Sequence, residues 1–367
     1  MRMPSILNEL PALYQEILPD FFATEIPAET KATCANCAMC AENCEGAVES
    51  ADGPQRFFEP STKCCTFHPN LPNYLVGAIL ADESPEMAEG RKRILAKIES
   101  RIGVSPYGIA APGKYSFLYG NSREFFGRSM SMRCPYFMDG EAGSCSIWKY
   151  RESVCSTYFC KYVSGAAGRK FWSRLKTYLA ISETQLTRYA ALDLYPDYVL
   201  SERHPDEPPA RKLTPEEIED KSPTDETYKR LWGSWLGMEK EYFLECYRLV
   251  RELKKEDFTR LVGLDGQVTL EILKRDRANA VEPKLPSKLK LNPELTVKWL
   301  ADGSVAIGGY SELDALAMAS ESFMLLKEFR GDKTVAATRQ TMRAEKSSDF
   351  ADELLVTFYQ HRVLIEA

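Results

Sequence analysis

Cys34-Ala35-Asn36-Cys37-Ala38-Met39-Cys40-Ala41-Glu42-Asn43-Cys44 places four cysteines in eleven residues, with the spacing C-x2-C-x2-C-x3-C. Thiolates two or three residues apart on a tight turn can converge on one centre. A hydrophobic core has no use for four small thiols at that density. Six more cysteines follow: the pair Cys64-Cys65, then Cys134, Cys145, Cys155 and Cys160, so that ten of the eleven lie between Cys34 and Cys160. Only Cys246 stands apart, beside Phe243, Leu244 and Tyr247, where it reads as a core thiol. Between the cysteines the chain shows little apolar periodicity and is broken by Gly53-Pro54 and Glu59-Pro60. The sequence therefore predicts an irregular lobe organised by metal rather than by regular secondary structure.

The choice of metal follows from the available ligands. Histidine is nearly absent, with only His68, His204 and His361, so any ion must be held almost wholly by sulfur. Soft thiolate sets select iron–sulfur clusters, structural zinc or copper(I). The spacing of Cys34, Cys37, Cys40 and Cys44 opens the cluster loop of bacterial-type ferredoxins, although there a proline follows the fourth cysteine and here Glu45 does. Zinc takes four thiolates and tolerates wider spacing. A [4Fe–4S] cluster is the favoured reading and zinc the alternative, because ten thiols exceed what one zinc ion needs. Ten candidates fill two four-ligand sites with two to spare. Consecutive side chains point in different directions, so Cys64 and Cys65 can serve different sites.

Composition narrows the function classes. The 367 residues carry 47 Lys/Arg against 53 Asp/Glu, a net charge of −6, which disfavours a nucleic-acid-coating role. At 44% hydrophobic and 27% charged residues the chain reads as globular. The stretch Met1-Arg2-Met3-Pro4-Ser5-Ile6-Leu7-Asn8-Glu9 lacks the apolar run of a signal peptide, and no stretch approaches the roughly 18 apolar residues of a membrane span. The expected compartment is the reducing cytoplasm, where clustered cysteines act as metal ligands or redox thiols rather than disulfides. Gly108-Ile109-Ala110-Ala111-Pro112-Gly113-Lys114-Tyr115 matches G-x4-G-K, but Tyr115 stands where magnesium needs Ser or Thr and Pro112 removes a backbone donor, so a P-loop is rejected.

Periodicity predicts helices over 3–22, 84–101, 168–194 and about 225–255, with Arg91, Lys92, Arg93 and Lys97 on a solvated face. Residues 201–227 read as a surface excursion containing one short helix, begun by Thr214-Pro215-Glu216-Glu217. Residues 276–290 read as a linker. Beyond it, Leu295-Thr296-Val297-Lys298-Trp299 alternates like a strand, Asp302-Gly303 signals a hairpin and Val305-Ala306-Ile307 returns. Helices at about 312–329, 334–345 and 348–360 and a final strand Arg362-Val363-Leu364-Ile365 complete a small winged-helix-like unit. The fold class is thus α+β and mostly helical. It comprises an N-terminal helix with a metal-cluster domain over 1–165, a helical region over 166–275 and the C-terminal unit over 291–367.

Cys64-Cys65, Cys134-Pro135-Tyr136-Phe137, Cys145-Ser146-Ile147-Trp148, Tyr150-Arg151 and Cys155-Ser156-Thr157-Tyr158-Phe159-Cys160 together resemble the YkgJ-type cysteine-cluster proteins over about residues 30–165. These are zinc- or iron-chelating, and flagellin lysine-N-methylases look related to them. Where that family carries Arg-Pro before the third cysteine of this group and an arginine after it, this chain has Arg151-Glu152 and Ser156. The resemblance implies metal binding more firmly than any reaction. No glycine-rich nucleotide fingerprint accompanies it.

Leu295 to Leu300, Asp302-Gly303, the run from Leu325 to Val335 and Val363-Leu364 resemble PqqD-type peptide-recognition domains, which accept a peptide as an added strand. Residues 291–367 hold eight Lys/Arg against twelve Asp/Glu, which argues against a DNA-binding winged helix. The reading is a metal-cluster protein of peptide or protein modification, with a peptide or protein partner on the C-terminal unit and neither nucleic acid nor membrane as partner. The alternative is a non-enzymatic, zinc-stabilised scaffold or metal-handling protein.

Overall fold

The structure, a computed structural model, describes residues 3–40, 57–140, 143–201 and 213–367. Helix accounts for 55% of the described residues and strand for 9%, which makes the protein a mostly helical α+β chain. Two long helices form the spine. Gly165–Leu194 buries Phe171, Trp172, Leu175, Tyr178, Leu179 and Leu186 along one stripe. It packs against Lys255–Val281, which is kinked where Gly263 takes φ +59°. Between them lies the fully buried Asp276 carboxylate, met by Lys170 at 3.1 Å and Arg174 at 3.6 Å. The second helix runs through residues that read as linker, so the helical region extends to Val281 rather than 275.

Asn73–Ala81 is apolar on every side and is correspondingly buried, lying against Glu239–Arg251. The two helices touch backbone to backbone. A Cβ added at Gly77 would lie 1.9 Å from the Phe243 carbonyl oxygen. The predicted helix over 225–255 is two helices, Asp225–Trp232 and Glu239–Arg251, because Gly233 and Gly237 both adopt positive φ between them. Cys246 is fully buried there, as its apolar neighbours imply. The short helix of the polar excursion forms at Pro215–Ile218 with the Thr214/Glu217 capping box, while residues 202–212 lie outside the described residues.

The predicted helix over 3–22 is instead three short turns, Ile6–Glu9, Tyr14–Ile17 and Asp20–Ala23. Pro11 and Pro19 remove the amide donors that would join them. The apolar face survives the breaks: Ile6, Leu10, Leu13, Tyr14 and Ile17 are all buried, and Tyr14 Oη lies 2.8 Å from Tyr74 Oη.

The C-terminal part has its own buried cluster, including Leu289, Ile307, Phe323, Leu326, Phe329, Met342, Leu355 and Leu364. Thr296–Trp299, Val305–Gly308 and Leu316–Met318 form an antiparallel sheet in that order, with Asp302-Gly303 in the first turn. The helix read over 312–329 contains that third strand and is helical only at Glu312–Asp314 and Ser320–Leu326. Val335–Lys346 and Asp352–Gln360 follow as read. Leu289–Leu291 pairs with Leu364–Glu366, so the unit begins before residue 291.

A polar seam joins this unit to the rest. The Glu29 carboxylate accepts from Trp172 Nε1 at 2.7 Å and from the Val163 amide at 2.6 Å. Beside it the buried Asp314 accepts from the Tyr162 amide at 3.2 Å and from the Tyr310 hydroxyl. His361 lies 3.7 Å from Asp314 and 3.2 Å from Lys31 Nζ. The Thr357 carbonyl can only accept, so His361 Nδ1 carries the proton and Nε2 receives the lysine.

Burial pushes the Glu29 carboxyl up to about 7, reinforced by Asp314 and opposed by its two hydrogen bonds. The native fold thus favours neutral Glu29, and its contribution is complete at acidic pH and is lost as pH rises through about 7. His361, lowered by burial and by Lys31 against the pull of Asp314, acts in the opposite sense and loses stability as pH falls. Glu29→Gln removes only the first effect. Thermal denaturation of both proteins between pH 5 and pH 8 should show the wild type losing about 2.5 kcal/mol relative to the variant. Parallel pH profiles would show that Glu29 does not carry this dependence.

Candidate metal centre

The thiols are positioned by turns and caps, not by long elements. Cys34, Cys37 and Cys40 lie on one loop closed by the Cys40 amide donating to the Cys37 carbonyl at 2.9 Å. Cys44 lies outside the described residues. Lys63 is buried with φ +50° and donates to the Cys34 carbonyl at 2.6 Å and to the Gly143 carbonyl at 3.1 Å. That lysine ties the first cysteine loop to the turn carrying Cys64-Cys65. The Cys134 amide donates to the Cys65 carbonyl at 2.8 Å, and Cys145 follows on the hairpin Phe137–Met138/Ser144–Cys145. Arg93 Nη1 clamps that hairpin through the carbonyls of Pro135 at 2.6 Å and Phe137 at 2.7 Å. Arg93 is therefore a structural anchor rather than part of a solvated face.

Cys155 sits in the helical turn Ser153–Thr157, which is held by two buried carboxylates. Glu152 accepts from the amides of Val154 at 2.6 Å and Cys155 at 2.9 Å. Glu183, on the long helix, accepts from the Ser153 amide at 2.6 Å and its hydroxyl at 2.7 Å. Burial, and then Glu152, raise the Glu183 carboxyl well above the usual range, which relieves the repulsion of two adjacent carboxylates. Arg151 donates to the Cys155 carbonyl at 2.9 Å and stacks 3.5 Å above the Trp148 ring.

Electrostatic contacts group most of the thiols in two sets, bridged by the contacts of Cys65 with both Cys34 and Cys64. Cys34 interacts with Cys37 and Cys64, and Cys160 with Cys34, Cys37 and Cys64. Cys134 interacts with Cys145 and Cys65, and Cys155 with Cys134 and Cys145. Cys40 lines a cavity of about 420 Å³ with Cys37, Lys63, Phe137 and Asp139. All the described cysteines are free thiols. Burial pushes Cys145 and Cys160 up to about 11 and Cys134 and Cys155 higher still. Cys64 donates a hydrogen bond to Cys65, which raises the first and lowers the second. Lys63, Arg151 and Arg133 lower Cys65 further.

Among the described residues, no three His, Cys, Asp or Glu side chains converge tightly enough to hold an ion as they stand. The donor chemistry nevertheless fits a thiolate-ligated centre. Soft donors are concentrated in one lobe, and fixed cations lie beside them to offset the negative charge that metal-bound thiolates carry. No protein-family model, no curated protein and no solved structure matches the chain.

Sequence reasoning named the thiols and missed most of their supports. Lys63, Arg133, Glu152 and Glu183 match no ligand motif. The one available signal was Arg151-Glu152, standing where a related pattern has Arg-Pro. Cys37→Ser and Cys145→Ser should each lower bound metal by about half, and the double variant should lose nearly all of it. Metal analysis of the three purified proteins checks this. Complete loss in either single variant would mean that the two sets are one site.

Proposed function

We propose that this chain is a thiolate-ligated metal-cluster protein, most simply iron–sulfur of the [4Fe–4S] kind, acting in peptide or protein modification in a reducing compartment. The observation that carries the reading is the gathering of free thiols in one lobe on both sides of the consecutive pair Cys64-Cys65. One centre would draw on Cys34, Cys37, Cys64 and Cys160, with Cys40 and Cys44 as further candidates. The other would draw on Cys65, Cys134, Cys145 and Cys155. A bound cluster supplies one-electron redox chemistry or an open coordination position. Lys63, Arg133 and Arg151 offset the charge on the thiolates, and the cavity beside Cys37 and Cys40 admits a small group next to the first set. The resemblance to YkgJ-type proteins points to the same chemistry.

The C-terminal unit is read as a peptide-docking domain. Among the described residues Thr296–Trp299 pairs on one side only, within the sheet order given above, and Trp299 and Val297 are exposed on it. A peptide added there would bond through backbone groups. Among the described residues no helix is long and apolar enough to cross a membrane.

Anaerobic purification followed by iron, acid-labile sulfide and zinc analysis tests the metal. The expected protein is brown, absorbs near ~400 nm and contains iron and sulfide in equal amounts. Zinc without sulfide would replace this reading with that of a zinc-stabilised scaffold. Deleting residues 283–367, which removes the whole strand Leu289–Leu291 with its partner, should leave metal content unchanged. A fall in metal content would show that the seam through Asp314 and Leu313 is needed to hold the thiol lobe together.

A further inference from the structure

The two sets of thiols back onto different apolar clusters. Cys65, Cys134 and Cys145 pack in the large core built on the long helices. Cys37, Cys40, Cys64 and Cys160 pack instead on a small cluster whose buried side chains are Met39, Phe57 and Phe58. Met39 lies between Cys37 and Cys40, and its carbonyl accepts from the Phe58 amide at 2.9 Å, so this wall is tied to the first cysteine loop. Among the described residues, one side chain in the small cluster comes from the C-terminal unit: Leu313 packs on it.

Leu313 is placed there by the connection between Val305–Gly308 and Leu316–Met318, which is held along its length. Gly309 presses on the backbone that follows Asp352–Gln360, where an added Cβ would lie 2.3 Å from the His361 carbonyl oxygen. The Tyr310 carbonyl accepts from Arg169 Nη1 of the long helix at 2.7 Å. Ser311 Oγ accepts from the Leu313 amide at 3.2 Å and starts the turn Glu312–Asp314. The Asp314 carboxylate accepts from the Tyr162 amide at 3.2 Å, just beyond Cys160. A tight turn would suffice to join two neighbouring antiparallel strands. This connection runs from Gly309 to Ala315 and ends on the thiol lobe.

We propose that Leu313 is part of the wall of the first thiol set, and that the C-terminal unit thereby sets how far solvent and small reagents reach Cys37 and Cys160. Leu313 is a positioning residue, because it bounds the site and supplies no donor to it. The inference rests on the first thiol set of the reading above, and not on which metal that set holds. Leu313 is only partly buried, so shortening it opens the wall to solvent instead of leaving a closed void. Thr296–Trp299, read above as the docking edge, lies in the same sheet as the strands that flank Leu313. A partner held on that edge would share a frame with the wall.

Timed alkylation with N-ethylmaleimide, followed by tryptic digestion and mass spectrometry, tests this on the full-length protein purified without oxygen. Glu152 to Lys161 form one tryptic peptide that carries both Cys155 and Cys160, so the two sets are compared within a single molecule. Leu313→Ala should raise the alkylation rate at Cys37 and Cys160 about tenfold and leave Cys134, Cys145 and Cys155 at their wild-type rates. Leu313→Val should show the same selectivity on a smaller scale, which decides the matter if the alanine variant does not fold. Leu313→Met nearly conserves volume and should keep wild-type rates. Unchanged rates at Cys37 and Cys160 would overturn the proposal. So would an equal rise at Cys155, because the substitution would then have loosened the whole lobe. Metal content is measured on the same samples. Its absence would refute the metal reading alone, while bound metal with indifferent alkylation would refute the wall alone.

Discussion

Cys64 and Cys65 are consecutive, and neighbouring side chains on such a turn diverge. That constraint organises the lobe around them. Cys64 has Cys34 and Cys160 as electrostatic neighbours, while Cys65 has Cys134 and Cys145 and also Cys34, so the pair links the two groups of thiols. Every other device in the lobe holds some loop at the right side of this pair. Lys63 brings the first cysteine loop in, and the Cys65 carbonyl brings in Cys134. Regular secondary structure could not do this, because a helix or strand spreads its side chains along an axis instead of around a point.

The lobe is fastened to the helical body by buried polar contacts. Glu183 reaches from the long helix to the Ser153 turn, and Glu29 joins the loop before Cys34 to Val163 and Trp172. Each carboxyl is raised first by burial, so each stays in place at the cost of ready ionisation. The same Glu29 stands beside Asp314 from the C-terminal unit. Protonation, thiol loop and C-terminal unit therefore share one seam.

Much of the chain was readable from residue type and spacing. The cysteine lobe, the helix of residues 168–194, the capping box at Thr214 and the hairpin at Asp302-Gly303 follow from local chemistry that needs no partner. Cys246 was legible as a core thiol because its neighbours are apolar. The errors came where local signals compete. A continuous apolar face over 3–22 outvoted Pro11 and Pro19 in the reading, although the missing amide donors decide the backbone. Leu316–Met318 has helix-compatible residues and becomes a strand only because Val305–Gly308 offers it an edge.

By itself the sequence determined that this is a mostly helical α+β chain with a thiol-rich lobe short of histidine. Composition and spacing carry that information directly. Only the tertiary structure decided which thiols neighbour which, since Cys65 and Cys134 are 69 positions apart and no periodicity links them. The same holds for Lys63, Arg151 and Glu183. Their roles depend on burial and on partners distant in sequence, and the electrostatics of a side chain is set by what surrounds it after folding.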